Sequence, residues 1–137
     1  MPASLSKKLG IKPGQRGLVI NAPEGYLDTL GELPEGVVVA ESADGKEAIE
    51  APYDWVHLFC KSVAELGVMA PRAIGAVVHD GLLWISYPKR SSEVATDINR
   101  DVGWEVIAEA GFRPVRQVSV DAVWSALRFR PAERVGR

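Results

Sequence analysis

The sequence predicts an α/β domain: a mostly parallel sheet with helices on both faces, closed by an antiparallel strand pair at the C-terminus. Three observations predict it. Short apolar or β-branched runs (Gly17–Ala22, Gly36–Glu41, Asp54–Cys60, Leu82–Tyr87) alternate with segments of helical character. Asp54–Cys60 is apolar on both faces, with Trp55, His57 and Phe59 on one and Val56, Leu58 and Cys60 on the other, as in a strand covered on both sides. Pro114–Val120 and Val123–Arg130 alternate around a tight Asp121-Ala122 turn, which reads as a hairpin. Alternating strands and helices build a layered α/β sheet.

Residues 1–16 read as a polar, flexible lead-in, 17–131 as one α/β domain and 132–137 as a tail. Gly17–Ala22 is the first strand. Pro23–Leu30 follows as a short helix, with Pro23 as its first residue, where a missing N–H costs nothing. Gly31 ends it. Gly36–Glu41 (GVVVAE) reads as a buried strand and Ser42–Pro52 as an acidic loop. Ser62 and Glu65 match a capping box and start a helix, which Pro71 restarts or kinks before Arg72–Val78. His79-Asp80-Gly81 reads as a turn and Pro88–Ala95 as a polar loop. A helix from Thr96 or Asp97 to Ala110 is marked by Ile98, Val102, Val106 and Ala110, with Gly111 as its stop. In the last pair, Leu127 and Phe129 face in, and Arg128 and Arg130 face out.

The 137 residues suit one domain, and 47% hydrophobic with 25% charged residues is ordinary for a folded protein. A net charge of -2 draws the chain to neither nucleic acid nor membrane as a whole. The charge is unevenly placed. Residues 21–54 hold nine acids against Lys46, the first twenty hold four bases and no acid, and residues 111–137 hold six arginines against Asp121 and Glu133. Solvated faces of opposite sign account for this; a self-complementary homo-oligomer surface, or a basic edge for an anionic ligand, is the sharper reading. Arg113, Arg116, Arg128 and Arg130 lie on the last two strands without interleaved exposed aromatics, so nucleic acid is not the expected partner. A lone Cys60 excludes an internal disulfide, and no run has the length of a signal sequence or a membrane span. The expectation is a cytoplasmic protein without a membrane partner.

The strand Asp54-Trp55-Val56-His57-Leu58-Phe59 and the stretch His79-Asp80-Gly81-Leu82-Leu83-Trp84-Ile85-Ser86 carry a resemblance. They are similar to the fourth strand and the glycine turn with fifth strand of class I S-adenosylmethionine-dependent methyltransferases, a Rossmann-like fold. The chain resembles that fold in reduced form, since residues 41–54 are too short for its third strand and helix. Trp84–Lys89, Thr96–Trp104 and Trp124–Phe129 are also similar to a small bacterial domain family of unknown function. The methyltransferase resemblance implies a first loop with an acid and then glycines that let backbone approach the cofactor. Here Asn21 stands at the acid position, followed by Ala22, Pro23 and Glu24, and one glycine, Gly25, remains. Glu41 matches the acid that would hold ribose hydroxyls. Asn21, Gly25 and Glu41 are thus the candidate cofactor residues. The loop reads as eroded, so the expectation is a non-catalytic methyltransferase-like binding protein with no cofactor. A minimal S-adenosylmethionine-dependent methyltransferase is the alternative.

A second candidate site stands apart from the resemblance. Ser86, Lys89, Arg90, Ser91, Ser92, Thr96 and Arg100 leave the carboxyl end of a central strand, where open α/β sheets bind ligands. Hydroxyls, cations and a helix start favour a small anion there. His57 and Cys60 point to opposite faces and cannot share a metal. No catalytic residue and no metal site is assigned. The four tryptophans read as core.

Overall fold

The computed structural model describes residues 4–44, 52–99 and 101–134. Its elements run α1 (Leu5–Lys8), β1 (Arg16–Ile20), α2 (Tyr26–Leu30), β2 (Val38–Ser42), β3 (Tyr53–Phe59), α3 (Val63–Ala76), β4 (Val77–Pro88), α4 (Glu105–Glu109), β5 (Phe112–Ser119) and β6 (Trp124–Pro131), with a 3-10 turn at Ala132–Arg134. One six-stranded sheet has the order β2-β1-β3-β4-β6-β5. The first four strands are parallel, and β6 joins β4 and β5 antiparallel. The predicted α/β class and its closing antiparallel pair are both present.

Strand alternation splits the core into two layers. Leu18, Ile20, Val56, Leu58, Leu83, Ile85, Leu127 and Phe129 pack with Leu66, Ala70 and Ala73 of α3 and Ile107 of α4. Val19, Trp55, Phe59, Trp84 and Trp124 pack on the other side with Leu5, Tyr26 and Leu30 of α1 and α2. β3 is buried on both faces, as its two apolar faces require. Gly17 exists for Trp55: a Cβ there would lie 1.9 Å from the indole Cε2.

Several expectations are corrected. The lead-in is part of the core: Leu5, Leu9 and Ile11 are buried, and Trp84 Nε1 donates to the Leu9 carbonyl at 3.0 Å. One helical turn is too short to show a period. The helix after β1 starts at Tyr26, because Gly25 takes a φ of 82 as its N-cap and Pro23 stays outside. β2 is an edge strand, with Val38 61% exposed, because among the described residues no strand pairs beyond it. The acidic loop falls partly on 45–51, outside the described residues. α3 runs through Pro71 unbroken. His79-Asp80-Gly81 is a bulge within β4 rather than a turn: Tyr53 pairs with Val77 and Trp55 with Leu82, and Asp80 takes a φ of 56.

The helix expected from Thr96 to Ala110 forms only over Glu105–Glu109. Local polar groups win upstream. Asn99 Oδ1 accepts from the Asp101 and Val102 N–H groups, the Asn99 carbonyl accepts from Trp104 Nε1, and Gly103 takes a φ of 106. Val102, expected on the buried stripe, is 51% exposed. No helix among the described residues is long and apolar enough to cross a membrane.

Candidate functional site

The parallel strands end at one edge, and two openings lie along it. The smaller, a cavity of about 300 Å³, sits at the ends of β1 and β2 and is lined by Asn21, Ala22, Glu41 and Ser42 with their neighbours. Asn21 holds its backbone at a φ of 57, a left-handed value that asparagine tolerates better than most residues. Its N–H donates to the Ser42 carbonyl at 2.9 Å, and its Nδ2 donates to the Phe59 carbonyl at 2.8 Å. Asn21 therefore ties the ends of β1, β2 and β3 together. Glu41 is exposed on the cavity wall, where the register Val19–Glu41 sets it. Gly25 leaves open space where a Cβ would stand. The three candidate cofactor residues thus lie along the β1 end, with Asn21 and Glu41 on one cavity.

The larger opening, a cleft of about 700 Å³, lies at the end of β4 and is lined by Tyr87, Lys89, Arg90, Ser91, Asn99, Asp101, Gln117, Ser119 and Ser125. An adjoining cavity of about 330 Å³ shares Lys89 and Arg90 and adds Thr96 and Asp97. Lys89 Nζ donates to Ser119 Oγ at 2.6 Å. Gln117 Nε2 donates to Tyr87 Oη and to Ser125 Oγ, both at 2.9 Å, so both hydroxyls act as acceptors here.

The expected anion residues divide. Lys89, Arg90 and Ser91 reach the cleft, and Thr96 reaches the adjoining cavity. Ser92 turns back to donate to the Lys89 carbonyl at 2.7 Å. Ser86 is fully buried on the opposite face and is no part of the cleft. Arg100 lies outside the described residues. The helix start expected near Thr96 is absent; Asp97 instead accepts from the Val63 N–H at 2.8 Å and caps α3. Gln117, Ser119 and Ser125 were not singled out from sequence. Only the register Ser119–Ser125 and Tyr87–Ser125 brings them to one place.

A buried polar chain was missed as well. Tyr26 Oη meets His57 Nδ1 at 2.5 Å, and His57 Nε2 meets Ser86 Oγ at 2.5 Å. Burial pushes the Tyr26 phenol up and holds His57 down at about 3. The ring is neutral, so one hydroxyl donates to it and the other accepts from it. A serine beside a histidine is the arrangement of an activated nucleophile. Here Ser86 Oγ has no approach for a substrate, and the chain is a packed network. Cys60 is buried on the other face, and burial, with the Glu65 charge, pushes its thiol up to about 12.

No family model and no curated protein sequence matches the chain. Solved structures do. A SAM dependent methyltransferase from Aquifex aeolicus aligns with TM-score 0.57 and 17% identity, over 90% of this chain and 85% of that one. The N-methyltransferase NodS from Bradyrhizobium japonicum aligns with TM-score 0.60 and 14% identity, over 93% and 90%. A phospholethanolamine N-methyltransferase of Haemonchus contortus, in complex with phosphomonomethylethanolamine and S-adenosylhomocysteine, aligns with TM-score 0.58 and 10% identity, over 93% of this chain and 38% of that one. The chain spans only part of each. These likenesses show a Rossmann-like, methyltransferase-like fold. They also correct the expectation of no cofactor, because such neighbours are S-adenosylmethionine-dependent enzymes, one of them holding the cofactor's product.

Proposed function

We propose that this chain is a methyltransferase-like domain that binds S-adenosylmethionine at the carboxyl edge of its parallel strands. The observation that supports it is Glu41, an exposed carboxylate at the end of β2 on the wall of the β1–β2 cavity. Two carboxylate oxygens there suit the two hydroxyls of a ribose. Nothing lies within 4 Å of where a Gly25 Cβ would stand, which supports approach of the cofactor to the backbone there. When bound, the cofactor supplies an electrophilic methyl group. The chain's own residues bind and orient. Glu41 holds the ribose, Asn21 sets the loop, and the cleft beside Lys89 and Arg90 receives a second, anionic molecule. The expected likeness to a small bacterial domain family finds no matching family model and adds no activity to this reading.

Calorimetric titration with S-adenosylmethionine and S-adenosylhomocysteine tests it. Binding in the micromolar to submillimolar range ordinary for enzyme ligands is expected. Glu41→Ala weakens it by about tenfold or more, since both charge-assisted hydrogen bonds to the ribose are lost. Silence of the parent chain at millimolar ligand overturns the reading. Release of S-adenosylhomocysteine in the presence of an acceptor separates transfer from binding alone.

A further inference from the structure

The antiparallel register sets like charges against each other. Arg116 stands opposite Arg128 and Arg113 opposite Arg130 across β5 and β6. Directly opposed like charges destabilise a strand pair, and folding alone favours an opposite or neutral partner. Two of the four arginines are answered. Asp80 takes Arg130 through Nε at 2.9 Å and Nη2 at 2.7 Å. Arg113 turns its Nη1 to the Ala108 and Phe112 carbonyls. Arg116 and Arg128 make no hydrogen bond or ion pair among the described residues; Asp101 borders a cavity of about 280 Å³ with Arg116 without pairing to it. The Arg128 Nε is buried and has no acceptor among the described residues. A buried donor left unpaired costs its full desolvation. Burial first, then the charge of Arg130 and that of Arg116 against the pull of Asp80, hold the Arg128 guanidinium below the usual arginine range.

We propose that Arg116 and Arg128 form a binding site for a compact oxyanion of the phosphate type. Phosphate supplies what the pair lacks: negative charge between two opposed guanidiniums, and acceptor oxygens for unpaired N–H groups. The phosphate can be a small ester or part of a nucleic-acid backbone; the recognising chemistry is the same. The site is independent of the cofactor reading. Arg128 pairs with Trp84 within the sheet, whereas the carboxyl-edge cleft opens beyond Tyr87.

The test uses thermal unfolding in phosphate and in chloride of equal ionic strength. All proteins carry Lys89→Ala and Arg90→Ala, so that the carboxyl-edge cleft is silent. Phosphate is expected to raise Tm in this background, with about tenfold weaker phosphate binding once Arg116→Gln is added. Without phosphate, Arg116→Gln is expected to melt higher than its parent, because the opposed charge is gone. That sign separates a ligand site from a structural arginine, whose loss lowers Tm. Arg128→Gln is the second variant and should weaken phosphate binding in the same way. Adenosine monophosphate and a short single-stranded RNA identify the source. Tighter, salt-sensitive RNA binding assigns it to a nucleic-acid backbone, and equal binding of both to a small ester. Equal phosphate stabilisation with and without Arg116, or no response to any probe, overturns the proposal. Failure here leaves the Glu41 titration untouched, and the reverse holds.

Discussion

His57 is a titratable side chain that folding makes inert. It has no exposure, and both ring nitrogens are engaged. Its pKa is lowered to about 3 by burial, against 6.5 for a free histidine. Between those values the unfolded chain binds a proton that the folded chain does not. The contribution is therefore intact above 6.5 and is lost as pH falls toward 3, at about 1.4 kcal/mol per pH unit. The ring signal of His57 in NMR should stay still from pH 8 to pH 4.5. Titration near 6.5 would show that the ring is open to water. Ser86→Ala strips the ring of one partner and should cost about 1–3 kcal/mol in urea unfolding. A loss near zero would mean that the ring re-pairs. Sequence placed His57 on the face of Trp55 and Phe59, which is where it lies. It did not reveal Ser86 and Tyr26 as partners, because they are 29 and 31 residues away and meet His57 only through tertiary packing.

At the scale of elements, strands were more legible than short helices. β3 and β6 stand almost where apolar alternation puts them. Ser62 caps α3 as its spacing predicts, accepting from the Glu65 N–H at 3.1 Å, while Glu65 reaches back one residue further, to the Lys61 N–H at 2.7 Å. The helix expected at 96–110 failed because Asn99 offers its backbone neighbours a side-chain acceptor that a period of apolar residues does not register. Close packing supplies a sharper prediction. Gly17→Ala drives a methyl into the Trp55 ring, with all three nearest contacts on the indole at 2.4 Å or less. Over-packing of this kind costs about 1–3 kcal/mol or more, read as a fall in Tm with a blue- or red-shifted tryptophan emission. An unchanged Tm would mean that Trp55, whose Nε1 has no partner among the described residues, swings out freely.

For the whole molecule, the sheet order ranks the strands. β3 and β4 lie at the centre, flanked by neighbours on both sides, whereas β2 and β5 are edges. Hydrogen exchange should therefore be slowest in β3 and β4 and fastest in β2 and β5. Protection of β2 equal to that of β3 would require a partner along its free edge. The sequence by itself determined the α/β class, the sequence of strands, the two-sided burial of β3 and the antiparallel close. Those properties reside in local period and composition, which a single strand or turn carries alone. Tertiary structure decided the rest. The register of β4, β5 and β6 gathers Tyr87, Lys89, Gln117, Ser119 and Ser125 into one cleft and sets Arg116 against Arg128. It also buries Ser86 away from the loop that it borders in the chain. Register is a relation between distant segments, fixed by how two apolar faces interlock and where a bulge inserts extra residues, and no local pattern encodes it.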